Sequence, residues 1–278
     1  VRLRSNVLSP TMQWLWKVSS TKADQVRLGL GRTYKAPTPR DLIPRRWLVA
    51  DNSPTSPYFQ GDPNLVPELA WGLDLGYEHY AGADVFLGAN VYARKIEQVI
   101  LTIVSQESDG KWVARPVNRG NATVMGLELE AKAKLNKVWT TAPDVDLRAG
   151  LGRHVSNVDA VPGPSNRLSR QPPLTASLGV DYRMALAPVT LGGSFNYEKQ
   201  SLIRTSSTES LKLADKRGLD LYGVWRVGPR FNVRATLSNL LQPIAGQFNA
   251  YADGSGSEDR LLELQTHRSV RVSLEFKL

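Results

Sequence analysis

The sequence contains no cysteine, which excludes disulfides, thiolate nucleophiles and cysteine-ligated metals. It also lacks any apolar run near the roughly twenty residues that a membrane-spanning helix needs. The most apolar segments, 85–93 and 99–104, are far shorter. The start, Val1-Arg-Leu-Arg, has neither an initiator methionine nor the apolar stretch of a secretion signal, so a chain processed or truncated at its N-terminus is expected. No G-x-S-x-G elbow is present, and no catalytic residues are assigned. Helix-turn-helix and aromatic RNA-binding signatures are missing too. The basic residues alternate with acidic ones rather than forming a stripe, so nucleic acid is not an expected partner.

Apolar residues are nonetheless abundant, at 41% of the chain with seven tryptophans, but they are dispersed. Their spacing is the strongest signal. Val270, Val272, Leu274, Phe276 and Leu278 alternate with Ser269, Arg271, Ser273, Glu275 and Lys277. Such residues scatter around a helix but divide into one apolar and one polar face on a strand. Leu127, Leu129, Ala131, Ala133 and Leu135 stand in the same way against Glu128, Glu130, Lys132 and Lys134. Val85–Arg94, Val145–Leu151 and Leu174–Tyr182 repeat the pattern, and weaker copies lie in 12–18, 25–33, 71–79, 189–197, 219–226 and 231–239. About eleven strands are expected.

Three features separate a membrane barrel from a soluble sandwich. The polar face is rich in Gly, Asn, Ser and Thr, as suits a wide hydrated lumen. Trp14, Trp16, Trp71, Tyr77, Tyr182, Tyr197 and Trp225 are expected near strand ends, where amphipathic aromatics meet the membrane interface. The connections alternate in length. Those at 19–24, 80–84, 136–143, 184–188 and 227–230 are short; those at 35–66, 102–119, 153–170, 199–217 and 241–268 are long. An up-and-down barrel then has all long loops at one rim and all tight turns at the other, as outer-membrane barrels do. The fold expected is an all-β, antiparallel, up-and-down transmembrane barrel whose last strand ends on the periplasmic side. Its first strand then begins outside, so about eleven strands suggest a partial barrel of a twenty-two-stranded protein.

Several segments resemble TonB-dependent outer-membrane receptors. They are LGLGRTYKAPTPRDL (Leu28–Leu42), GDPNLVPELAWGLDLGYEHY (Gly61–Tyr80), NRGNATVMGLELEAKAKL (Asn118–Leu135), LSRQPPLTASLGVDYR (Leu168–Arg183) and LSNLL (Leu237–Leu241), and they stand in the family's order. The resemblance implies that residues 1–278 are the C-terminal portion of such a barrel, without the plug domain. It implies energy-coupled uptake of a scarce ligand, most often a ferric siderophore, with a TonB complex acting through the plug. Further partners implied are the N-terminal plug and barrel half, outer-membrane lipid and lipopolysaccharide. The alternative is a passive porin or adhesin-like barrel.

The net charge is +9, and the five long connections carry +5 of it. Arg45, Arg46, Arg115, Arg119, Arg167 and Arg170 are the candidates to attract an anionic ligand, since guanidinium groups pair well with carboxylate and phosphate. Trp47, Tyr58, Phe59 and Trp112, expected in loops, are candidates to stack on its rings. His154 and His267 are expected on separate extracellular loops without ligand spacing, and His79 near the periplasmic end. No metal site or cofactor is expected.

Overall fold

The alternating segments all become strands of one sheet. The computed structural model describes residues 6–18 and 23–276. Its strands begin with β1 (Thr11–Lys17), β2 (Asp24–Lys35), β3 (Arg46–Trp47), β4 (Tyr58–Gln60), β5 (Glu68–Ala81), β6 (Val85–Glu97), β7 (Ile100–Gln106), β8 (Trp112–Asn118), β9 (Ala122–Lys134) and β10 (Val145–Val158). They continue with β11 (Leu174–Arg183), β12 (Val189–Lys199), β13 (Leu202–Arg204), β14 (Glu209–Leu213), β15 (Lys216–Arg226), β16 (Phe231–Ser238), β17 (Ala245–Ala252), β18 (Ser257–Leu264) and β19 (Ser269–Phe276). The single-turn helices are α1 (Pro39–Leu42) and α2 (Leu135–Val138). Leu135, read above as the end of an alternating strand, instead opens α2. Most of the expected turn at 19–24, the start Val1-Arg-Leu-Arg, and Lys277 and Leu278 lie outside the described residues.

The main sheet has eleven strands in the order β1-β2-β5-β6-β9-β10-β11-β12-β15-β16-β19. Every pair in it is antiparallel and joins strands consecutive along the sheet, the up-and-down arrangement of a partial barrel. The remaining eight strands lie within the long connections. They form two four-stranded sheets, β3-β4-β8-β7 and β13-β14-β17-β18. All four long connections that contain strands leave the main sheet at one rim, as does the fifth, residues 159–173.

The registers run without interruption, so side chains alternate cleanly between faces. Along one row, Leu28 pairs with Leu75, which pairs with Val91, which pairs with Leu127. These apolar side chains are not packed against a second layer. Leu75, Leu87, Leu129, Leu151, Leu178, Leu191 and Leu221 are each between 42% and 49% exposed, and Val272 and Phe276 more so. A water-soluble sheet would have to cover such a surface; the outer face of a barrel meets lipid instead. Trp16, Tyr77, Tyr182 and Trp225 lie toward the short-turn end of this face. Tyr34, Trp71 and Tyr197 lie toward the other end. Trp14, expected near a strand end, sits in the middle of β1.

The opposite face is concave and polar. It lines a trough of about 1160 Å³ with Arg27, Asp74, Glu78, Asn90, Glu128 and Arg148 among its walls. Ion pairs cross between neighbouring strands there: Arg27–Glu78 and Arg94–Asp74 at 2.7 Å, and Arg148–Asp181 and Arg183–Asp146 at 2.5 Å. Pairs this exposed to water add little stability each. They leave the wall hydrophilic and largely self-neutralised.

The buried core lies in the loop region. Leu65, Val113, Pro116, Val158 and Ile203 are the largest fully buried side chains, and Val99, Ala122, Val158 and Val161 pack as a cluster. The molecule therefore places its dry packing at the long-loop rim and its two-solvent sheet below.

Candidate ligand site

The connection between β2 and β5 starts with a capped turn. Thr38 Oγ1 accepts from the Asp41 amide at 3.3 Å, and the Asp41 carboxylate accepts from the Thr38 amide at 3.1 Å, with Pro39 inside the turn. This reciprocal cap ends the backbone's need for partners within four residues. Gly61 packs against it so closely that a Cβ there would lie 2.5 Å from the Ile43 carbonyl oxygen and 2.6 Å from that of Asp41. The glycine of the GDPN segment is thus required by a close backbone approach.

That turn brings β3 and β4 together, with Arg46 opposite Gln60 and Trp47 opposite Phe59. β4 then pairs in parallel with β8, setting Tyr58 opposite Val113. Trp47, Tyr58, Phe59 and Trp112 therefore stand on short strands, not in irregular loops as expected. Trp47 and Phe59 stack at 5.6 Å between ring centroids. Arg40, which sequence reasoning did not single out, caps them, its guanidinium 4.3 Å from the Phe59 ring and 5.7 Å from Trp47. Its signal lay in the TPRD turn, whose cap aims the side chain.

Of the six expected cations, Arg46 and Arg115 meet. Arg46 Nη2 donates to Glu107 at 2.7 Å, Arg115 donates to the other carboxylate oxygen, and both reach Gln60 Oε1 at 3.1 Å. The two guanidinium groups hold the Glu107 carboxyl below the usual carboxylate range. The cluster thus keeps one positive charge of its two in excess. The stacked rings and Arg40 stand on the opposite face of the β3–β4 pair, since successive strand residues alternate in direction. Glu107 and Gln60 were also missed; their role depends on neighbours 61 and 14 residues away in sequence.

The other expected residues are dispersed. Arg45 and Arg119 are exposed. Arg167 turns back onto the β10 wall, where Nη2 donates to the His154 carbonyl at 2.6 Å. Burial, aided by the nearby charge of Arg153, pushes its pKa down. Arg170 is exposed, in a left-handed backbone conformation at φ 63°. Trp112 packs edge-on against Tyr251 of β17, 5.0 Å away. His154 is part of β10 rather than a loop, since that strand runs to Val158; its Nδ1 lies 2.8 Å from the Tyr92 hydroxyl on the inner wall. His267 is exposed in the connection before β19. His79 lies at the short-turn end of β5, where its Nδ1 and the Tyr77 hydroxyl both meet Asp24.

The two loop sheets also touch one another. Besides Trp112 on Tyr251, Ser53 Oγ donates to Glu258 at 2.5 Å and Thr55 donates to the same carboxylate. Glu209 is sequestered beside Ser206 and the Val104 backbone, and burial raises its pKa. Next to this contact, Asp253 accepts from the Tyr251 hydroxyl at 2.7 Å and from Ser255 Oγ at 2.6 Å. Asp253 is drawn down to about 2 by these hydrogen bonds. Burial first, and then the Asp253 contact, push Tyr251 up to about 12. The rim is thus a connected shell of two small sheets, one of which carries the paired arginines on one face and the stacked rings on the other.

A family model described as "TonB dependent receptor-like, beta-barrel" matches residues 3–240. No curated protein matches the chain. Among solved structures, a ferric enterobactin receptor (PfeA) mutant from Pseudomonas aeruginosa in complex with enterobactin superposes with a TM-score of 0.61 at 17% identity, covering 85% of this chain and 35% of that one. The FrpB iron transporter from Neisseria meningitidis gives 0.64 at 14% identity, covering 98% and 39%. The copper transporter OprC gives 0.67 at 18% identity, covering 96% and 39%. The chain spans about two fifths or less of the length of these solved proteins. At such identities the likeness concerns the fold.

Proposed function

Since the chain belongs to the TonB-dependent receptor β-barrel family, we propose that it serves as part of an outer-membrane receptor taking up a scarce ligand by energy coupling, with a ferric siderophore as first candidate cargo. The family is one of receptors and transporters rather than of enzymes. The observation that carries the reading is the join of an exposed apolar outer face, a polar trough and a folded loop shell at one rim. That combination suits a lipid-embedded wall with a ligand-gathering mouth. The long-loop rim is then extracellular. A plug and further barrel strands, acted on by a TonB complex, supply the coupling.

The similar solved proteins include ones whose names specify enterobactin, iron and copper, so the fold leaves the cargo open. The surplus positive charge of Arg46 and Arg115 over Glu107 supports an anionic ligand. An anion there would compete with Glu107 for Arg46 and Arg115, which favours multidentate carboxylate or catecholate groups over a single weak charge.

The test is growth under iron limitation with and without the gene, across a panel of ferric siderophores. The expected result is a growth defect of the deletion strain confined to particular siderophores, with uptake of those siderophores by the intact strain abolished when the proton gradient is collapsed. No difference with any siderophore would remove the iron assignment. Uptake that survives collapse of the gradient would indicate a passive pore.

A further inference from the structure

Glycine inside a strand weakens it, so glycines on the inner face of the main sheet call for a cause. At three places the cause is the same. Gly72, Gly126 and Gly192 each stand directly opposite a large side chain of the neighbouring strand, respectively Arg94, Tyr92 and Tyr222. In each case that side chain lies over the glycine. A Cβ at Gly126 would come within 2.5 Å of the Tyr92 ring, and one at Gly72 within 2.6 Å of Arg94 Cδ. The Tyr222 ring covers Gly192 in the same way. Strand side chains ordinarily stand upright from the sheet. These are laid flat.

The two tyrosines build the same bridge across three strands. Tyr92 on β6 crosses Gly126 on β9, and its hydroxyl lies 2.8 Å from Nδ1 of His154, the residue opposite Gly126 on β10. Tyr222 on β15 crosses Gly192 on β12 and donates to Asp181, the residue opposite Gly192 on β11. The His154 imidazole is laid down in turn, its Nε2 2.7 Å from where a Gly152 Cβ would be. Tyr92 stands nearer the long-loop end of the wall and Tyr222 nearer the short-turn end. Both hydroxyls are thus satisfied at the wall, and neither ring projects into the trough.

A methyl group at Gly126 or Gly192 would take the place of the ring. The atoms in its way are the far ends of side chains rather than backbone. The strand can therefore keep its register while the ring lifts off the wall.

We propose that Gly126 and Gly192 set the bore of the lumen, fixing by way of the flat Tyr92 and Tyr222 rings the size of what passes along this wall. They are positioning residues, and they act through the rings. The inference rests on the reading of the trough as part of a transport lumen. It makes a demand opposite to that of a purely structural bridge. If the bridges only tied strands together, the rings would be what the wall needs and the glycines would merely accommodate them. If the bore is what matters, a lifted ring does harm and its removal relieves it.

The test uses the intact receptor that contains this chain, purified in nonionic detergent. The chain has no cysteine. Ser177 faces the trough opposite Gly150, midway along the wall between His154 and Asp181. Ser177→Cys therefore gives a thiol between the two rings, and its labelling is read on its own peptide by mass spectrometry. Rates are compared for a compact maleimide and for one carrying a large rigid dye. With Gly126→Ala and Gly192→Ala together, the bulky reagent should react roughly five-fold more slowly, the low end of an overpacking cost, while the compact one keeps its rate. Adding Tyr92→Ser and Tyr222→Ser should restore the bulky rate. Gly218→Ala, on the same face with nothing within 4 Å of the added Cβ, should change neither rate. Each glycine variant is also measured singly with its own serine partner, so that loss of folding in the combined variant does not end the test. Unchanged bulky labelling in folded glycine variants would overturn the proposal. So would slowing that the serine changes fail to relieve, or glycine variants that never fold, since the proposal requires the ring to lift and the strand to stay. A receptor that takes up no ferric siderophore but shows the slowing and its relief would lose the iron reading and keep this one.

Discussion

Gly61, Gly120 and Asn239 occupy backbone positions that other side chains resist, and each falls in or beside a segment that carries the family resemblance. Gly120 has φ +75°, and a Cβ there would meet the Asp159 carboxylate, which accepts from the Asn121 amide at 2.7 Å. Asn239 holds φ 59° while its backbone amide donates to Asp220 at 2.7 Å and its side chain to the His267 carbonyl at 2.9 Å. Asn tolerates that conformation better than most residues. Gly61 differs in that its constraint is packing rather than dihedral. Gly61→Ala should loosen the capped turn and β3–β4 by roughly 2 kcal/mol, an overpacking cost, while leaving the main sheet intact. Hydrogen exchange checks it: amides of residues 38–62 should lose protection while those of β9 and β10 keep theirs. Gly218→Ala is the control, with nothing within 4 Å of the added Cβ. Unchanged protection in residues 38–62 would show that the close approach relaxes without cost.

At the scale of elements, the contact between the two loop sheets has a titratable member. The pKa of Glu209 is raised by burial, so its neutral form is favoured in the joined arrangement. Its contribution is therefore complete below the ordinary Glu range and is lost as pH rises through the raised value. Glu209→Gln retains the neutral form at all pH. At pH 7 this variant should slow exchange of amides in β7 and β14 roughly five-fold, equivalent to about 1 kcal/mol; at pH 4 the two proteins should match. Faster exchange in the variant at pH 7 would mean that the charged carboxylate holds the sheets together.

The same elements explain what the amino-acid pattern made legible. The eleven long strands separate two different surroundings, so their side chains alternate and the period is plain. The loop strands do not. β3 has two residues, and β8 buries Val113, Ala114 and Pro116 within one short run, so no alternation survives. Strand structure at Trp47, Tyr58, Phe59 and Trp112 was invisible for that reason. The candidate cations were legible as charges but not as pairs. Arg46 is neutralised by a residue 61 positions away, and only the fold brings Glu107 to it.

For the whole molecule the decisive fact is parity. An antiparallel sheet with an odd number of strands has edges that run the same way. Here β1 pairs only with β2, and β19 only with β16, among the described residues. Seven residues of β1 and eight of β19 thus present an edge of backbone N–H and C=O groups. In lipid each unsatisfied group costs several kcal/mol. Joining β1 to β19 would require a parallel seam, and two copies joined head to tail would have two. Completion by antiparallel pairing alone takes an odd number of further strands, and eleven would give the twenty-two of a plugged outer-membrane transporter. The 278-residue chain refolded alone in detergent should therefore fail to give a closed monomer, associating instead through its edges. Gel migration with and without boiling checks this, since closed barrels run as compact species until they are heated. The expected outcome is no heat-dependent shift for the chain alone, with a compact species appearing on co-refolding with the remaining barrel strands. A compact, heat-sensitive monomer formed by this chain alone would show that the eleven strands close on themselves, and the argument from parity would fail.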